Sequence, residues 1–243
     1  MSSKKQVEKM RFVIKEIVNN YFVTDQKLAL LKPLLDKESI FSSWDGTPGV
    51  KAVAAMRLTL YMAILSDMKS ILFDTGGKTA SMENVISALE NKHFLNSIKN
   101  EYCKPIGVRV YGHDDDPEMK KLIEKQIHTQ DIAKAEEHFT TLLPETIELF
   151  YSLKGSELAE RVCDARNKMI SHIEITTRDG ERALYNPTDF GLKWNDARDI
   201  VEESKDIIFN SNLLINNSSY DLEDFLIGHK EAARSFWSVV NNA

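Results

Sequence analysis

Apolar residues return every three or four positions along most of this chain, and that period leaves the α-helix as the element most of it can form. The first run is Val7, Met10, Ile14, Ile17, Val18 and Tyr21. The longest extends from Val50 to Phe73 and sets Val53, Arg57, Leu60, Tyr61, Ile64, Met68 and Ile71 on one face. Breakers are scarce: ten Gly and six Pro in 243 residues, against usual frequencies of about 7% and 5%. Strand-forming residues cluster at 173–177 and 182–185, joined by Arg178-Asp179-Gly180-Glu181, which fits a short β-hairpin near 173–185. The expectation is an all-α fold in a single helical domain spanning 1–243.

Turn and cap residues divide the helices. Thr24-Asp25 offers an N-cap for a second short helix before Pro33, and residues 44–49 read as a turn-rich connector. Gly76-Gly77 is expected to end the long helix as its C-cap. Ser81 should cap the next helix, which continues towards Tyr102 with a break near Lys92. Residues 104–115 read as a loop. Asp116-Pro117-Glu118 then gives an N-cap, a proline at the first helical position and an acidic first turn. The pattern runs on to about Lys154, with Pro144 as a kink or a boundary. A helix over 158–172 follows. Two more are expected at about 192–209 and 221–240, separated by Asn216-Asn217-Ser218-Ser219.

The net charge of −6 argues against indiscriminate nucleic-acid binding, although it permits a local basic site. Asp196, Asp199, Glu202, Glu203 and Asp206 make the later helices acidic, most simply as solvated faces. Cys103 and Cys163 are isolated thiols that form no zinc or disulfide framework. No cofactor is expected, and no metal site either. Glu124 and His128 share a face without a third ligand, and the acidic run His113-Asp114-Asp115-Asp116 is accounted for by capping. Gly76-Gly77-Lys78-Thr79 mimics a phosphate loop, but position 72 is leucine where that loop needs glycine. With no secretory signal and no membrane-spanning run, a cytoplasmic protein is expected. The three tryptophans, Trp44, Trp194 and Trp237, are scattered and read as core residues.

One stretch carries chemistry: Arg166-Asn167-Lys168-Met169-Ile170-Ser171-His172. A guanidinium is a permanently charged fork for phosphate oxygens, and an imidazole moves a proton near neutral pH. Leu158, Val162, Ala165, Met169 and His172 form an apolar helical stripe, so His172 falls on the buried or interface side. In a straight α-helix Arg166 and His172 flank Met169 by about 60° on each side and stand about 9 Å apart along the axis. The same count turns Asn167 about 160° away, so it takes a positioning role only where the helix loosens. The same residues also read as a plain helix terminus, with histidine favoured by the macrodipole and arginine snorkelling past apolar neighbours.

The stretch resembles the Arg-Asn-x(4)-His signature of the HEPN superfamily, helical domains found in many prokaryotic RNases of toxin and antiphage systems. Residues 57–67, the turn Asp74-Thr75-Gly76-Gly77-Lys78, the helix begun at Ser81 and Asn186-Pro187-Thr188 resemble the abortive-infection U type of that superfamily. The resemblance implies an antiparallel bundle with a core at about 50–212, an N-terminal helical extension over 1–45 and a C-terminal helix in 213–243. It further implies a homodimer whose two motif helices line one cleft and a metal-independent endoribonuclease acting on RNA. Arg166, Asn167 and His172 would be the catalytic residues. Lys168 and Arg178 would contact RNA, and an antitoxin partner is expected if the protein is a toxin. A non-catalytic HEPN dimer that binds nucleic acid or protein is the alternative.

Overall fold

The helical period is realised as eight α-helices among the described residues, in a computed structural model that describes residues 3–35, 44–104, 117–171, 175–178 and 181–241. Helix α1 (Ser3–Leu35) is one unbroken element, correcting the expected second helix at Thr24-Asp25. The Thr24 hydroxyl donates back to the Asn20 carbonyl at 2.8 Å instead of capping a new helix, as a hydroxyl can do inside a helix. Pro33 falls within the last turn, where its missing N–H forfeits only one helical bond.

Helix α1 lies at the centre, packed against α2 (Val50–Phe73), α3 (Met82–Leu89), α4 (Lys92–Tyr102), α7 (Asp196–Asn216) and α8 (Leu222–Asn241). Ile14, Ile17 and Val18 on α1 meet Ile64, Leu65 and Met68 of α2 in one core, all six fully buried. Burying each such side chain contributes roughly 1.5–3 kcal/mol. Helix α8 is fastened to α1 at two points. Asp25 Oδ2 lies 2.7 Å from His229 Nδ1, and Trp237 Nε1 donates to the Leu30 carbonyl at 3.1 Å. Trp237 is buried with Leu34 and Val53 and is a core residue as expected, while Trp44 is half-buried and packs against that cluster from its edge.

Helix α2 stops at Phe73, before the glycine pair, and Asp74 is its C-cap. Gly76-Gly77 is therefore not the cap. Ser81 precedes α3 as expected, yet its hydroxyl donates to the Asp74 carbonyl at 2.5 Å and not to its own helix. Thr79 and Asn84 both donate to the Gly76 carbonyl, so this turn presents carbonyls to its neighbours and not a cradle of amides. The break near Lys92 is real, and Asn91 caps α4 by accepting from the backbone of His93 and Phe94.

Helix α5 (Pro117–Lys154) passes through Pro144 without a boundary and ends where the sequence predicts. The expected loop at 104–115, apart from Lys104, and the Asp116 cap lie outside the described residues. After α6 (Glu157–Ala165) come a π-helical turn (Arg166–Ser171), strands β1 (Ile175–Arg178) and β2 (Glu181–Leu184), and a 3₁₀ turn (Pro187–Phe190). The strands pair antiparallel with Ile175 opposite Leu184 and Arg178 opposite Glu181, so only Asp179 and Gly180 separate them. The expected hairpin is present, with a connection two residues shorter than predicted. No helix among the described residues is long and apolar enough to cross a membrane.

Candidate functional site

Helix α6 is fixed at both ends before the motif begins. At its start Ser156 Oγ accepts from Ala159 N at 3.1 Å, and Glu157 and Glu160 lie in its N-terminal turns, where negative charge is favoured. On its flank the Arg161 fork grips Asp196 through Nε–Oδ2 at 3.1 Å and Nη2–Oδ1 at 2.8 Å. Asp196 is 2% exposed and also accepts from Lys193 N at 2.9 Å. The expectation that Asp196 belongs to a solvated acidic face is thus corrected. It is a buried carboxylate that locks the start of α7 to the motif helix. Its hydrogen bond to Arg161 is the main reason the guanidinium is held above its ordinary pKa.

The motif residues 166–171 do not continue the α-helix. They form a π turn, in which hydrogen bonds skip five residues instead of four, a departure frequent at functional sites. Packing follows the wider register. Ala165 is fully buried, and the next apolar side chain on the core is Ile170, five positions later. The expected stripe through Met169 is therefore corrected: Met169 and Ile170 are both half-buried, and it is Ile170 that packs against the core. The turn rests on α2. The ideal-helix angle between Arg166 and Asn167 no longer applies, and the loosening that a positioning role for Asn167 requires is present.

Arg166 is half-buried. Its Nε is enclosed with no hydrogen-bond partner among the described residues, while Nη1 stands 3.5 Å from Asn167 Oδ1. That distance is at the long limit of a hydrogen bond, so it holds the fork only loosely. Asn167 is exposed beside it. Lys168 pairs with Asp164 at 3.0 Å, one helical turn back, and its ammonium stands 5.8 Å from the Phe190 ring centroid. His172 and the side chain of Arg178 lie outside the described residues. Of the five predicted site residues, Arg166, Asn167 and Lys168 are thus placed on one π turn.

Cys163 lies close below the turn. Burial pushes its thiol above the ordinary value, opposed by the positive charges of Lys69 and Arg166 and reinforced by Asp164 and Asp74. The half-buried thiol packs against the core, and its raised pKa disfavours the nucleophilic thiolate. Lys69 and Asp74 form a close ion pair at the end of α2. Among the described residues no group of three His, Cys, Asp or Glu side chains is placed to hold a metal ion.

A second feature adjoins the motif. Asn186 caps the 3₁₀ turn in a reciprocal box with Asp189, and Gly191 ends that turn with φ +63°, a left-handed conformation that suits glycine. The chain then leads to Trp194, which is 42% exposed and so corrects the expectation of a core tryptophan. The Arg57 guanidinium lies over its ring at 3.9 Å, and Tyr61 meets it edge-on at 5.0 Å. Sequence reading set Arg57 on the face of α2 but had no signal for its partner 137 positions away.

A family model described as AbiU2, of the HEPN type, matches residues 58–236. No curated protein gives a significant match, and no solved structure does.

Proposed function

The chain belongs to the AbiU2 family of HEPN proteins, and on that premise we propose that it is a metal-independent endoribonuclease of an abortive-infection system. Two copies pair so that their motif turns line one cleft. Arg166 binds the scissile phosphate and stabilises the charge that builds on its oxygens. His172 accepts the proton of the attacking 2′-OH or returns one to the departing 5′-oxygen. Asn167 orients the guanidinium or the phosphate, and Lys168 and Arg178 contact the RNA strand. The 2′-oxygen forms a bond to phosphorus as the bond to the 5′-oxygen breaks, leaving a 2′,3′-cyclic phosphate and a 5′-hydroxyl.

The observation that carries this reading is the π turn itself. It holds Arg166 half-buried, with an enclosed Nε that meets no partner among the described residues. Leaving such a donor unsatisfied costs about 1–3 kcal/mol, and the loosely held Nη1 beside exposed Asn167 is the nitrogen an anion would meet. The test is incubation of purified protein with total cellular RNA in EDTA, alongside Arg166→Ala and His172→Ala. Cleavage by the parent and loss in both folded variants is expected. Retained RNA binding without cleavage by the parent would instead favour the non-catalytic HEPN dimer.

A further inference from the structure

We propose that the cavity between α2 and the segment 186–194 takes up one nucleobase of single-stranded RNA, stacked on Trp194, with Lys193 contacting a neighbouring phosphate. The inference rests on the RNA reading above and adds a subsite to it. The cavity encloses about 330 Å³, with Leu58, Tyr61, Pro187 and Leu192 supplying apolar walls. That volume is at the small end of the range, roughly 300–1,000 Å³, in which proteins hold compact ligands.

Three observations select a base as the occupant. Trp194 is exposed yet not loose, since Arg57 covers it at 3.9 Å and buried Tyr61 braces its edge. Tyr61 in turn donates its hydroxyl to the Lys193 carbonyl at 2.8 Å, fixing the backbone that presents the ring. A pre-positioned indole is what sequence-tolerant base stacking requires. Second, Asn186 Oδ1 is occupied by Thr188 N and Oγ1, while its amide Nδ2 has no partner among the described residues and can donate to a base edge. Third, Lys193 is exposed and makes no ion pair among the described residues, a local cation in a chain of net charge −6. The segment is continuous with the motif, because the ring of Phe190 stands 5.8 Å from the Lys168 ammonium on the π turn.

The experiment is fluorescence anisotropy with a cleavage-resistant 2′-O-methyl RNA of about ten nucleotides and full-length protein. Trp194→Ala should weaken binding about tenfold or more, and Trp194→Phe, which keeps a ring, by about threefold at most. Lys193→Ala should lower the slope of log affinity against log salt by about 0.7. An abasic oligonucleotide of equal length should bind the parent as weakly as the normal one binds Trp194→Ala. Equal affinities for parent and Trp194→Ala, equal binding of the abasic strand, or no binding by the parent would each overturn the proposal. If Trp194→Ala fails to fold, the abasic comparison on the parent decides. Cleavage of the unmodified strand is scored separately. Cleavage with no dependence on Trp194 sinks the subsite alone, and Trp194-dependent binding without cleavage sinks the nuclease alone.

Discussion

The contact between α1 and α2 and the segment 166–194 share one molecule but follow opposite rules. Along α1 the buried residues fall at α-helical spacing, with Ile14, Ile17 and Val18 fully enclosed against the neighbouring helices. Across 166–194 the spacing changes from π turn to hairpin to 3₁₀ turn, a guanidinium nitrogen is enclosed without a partner among the described residues, and a tryptophan stands in the open. Uniform geometry marks where the chain maximises burial. Broken geometry marks where polar groups are held out of their most stable arrangement, the usual cost of keeping a site ready for a ligand.

The largest effect expected is from Arg161→Ala, because it strands the 2%-exposed Asp196 carboxylate without its fork. Removing one partner of such a buried pair costs about 3–5 kcal/mol, measurable by urea denaturation. A cost below about 1 kcal/mol would mean that the pair is solvated. On the core side, Ile17→Ala should cost about 2–5 kcal/mol through the cavity it leaves. It should leave RNA cleavage per folded molecule unchanged, and a direct loss of activity would erase the division drawn between the two regions.

A smaller effect sharpens the register. The π turn sets Ile170 on the core in place of Met169. Ile170→Ala should therefore destabilise by about 2 kcal/mol and Met169→Ala by less than about half of that. The reverse order would restore the straight α-helix. Smallest is the alkaline effect of Cys163. Its folded pKa is raised above the ordinary 9.0, chiefly by burial, so folding favours the protonated thiol. That contribution is intact below the unfolded value and is lost as pH rises through the folded one. Thermal melts of the parent should therefore decline more steeply than those of Cys163→Ala above about pH 9. Parallel declines would show that the thiolate is tolerated.

The same division explains what was legible beforehand. Helix α2 was read to its first and last residue, and the breaks before α3 and at Lys92 were visible, because periodicity and capping are local signals. The unity of α1 was missed because Thr24 and Asp25 look like caps, whereas Thr24 turns back to Asn20 and Asp25 meets His229 across 204 positions. Arg166, Asn167 and Lys168 were nominated from residue types and family resemblance, and the structure places them together on one turn. Their π register was not, since residue types alone do not tell which side chain of the turn packs on the core. Asp196 and Trp194 escaped for the same reason. Their partners Arg161, Arg57 and Tyr61 are distant in sequence, and nothing local distinguishes a buried carboxylate from a solvated one.

The central proposal is that the RNA's own 2′-OH attacks, with Arg166 and His172 supplying the charge stabilisation and the proton transfer. Its most direct test is a pair of oligonucleotides differing by one 2′-deoxy sugar on the 5′ side of the scissile bond, incubated with the protein in EDTA. The account predicts cleavage of the all-ribose strand to a 2′,3′-cyclic phosphate and resistance of the deoxy strand. Efficient cleavage of the deoxy strand, or loss of all activity in EDTA with recovery in Mg²⁺, would contradict it.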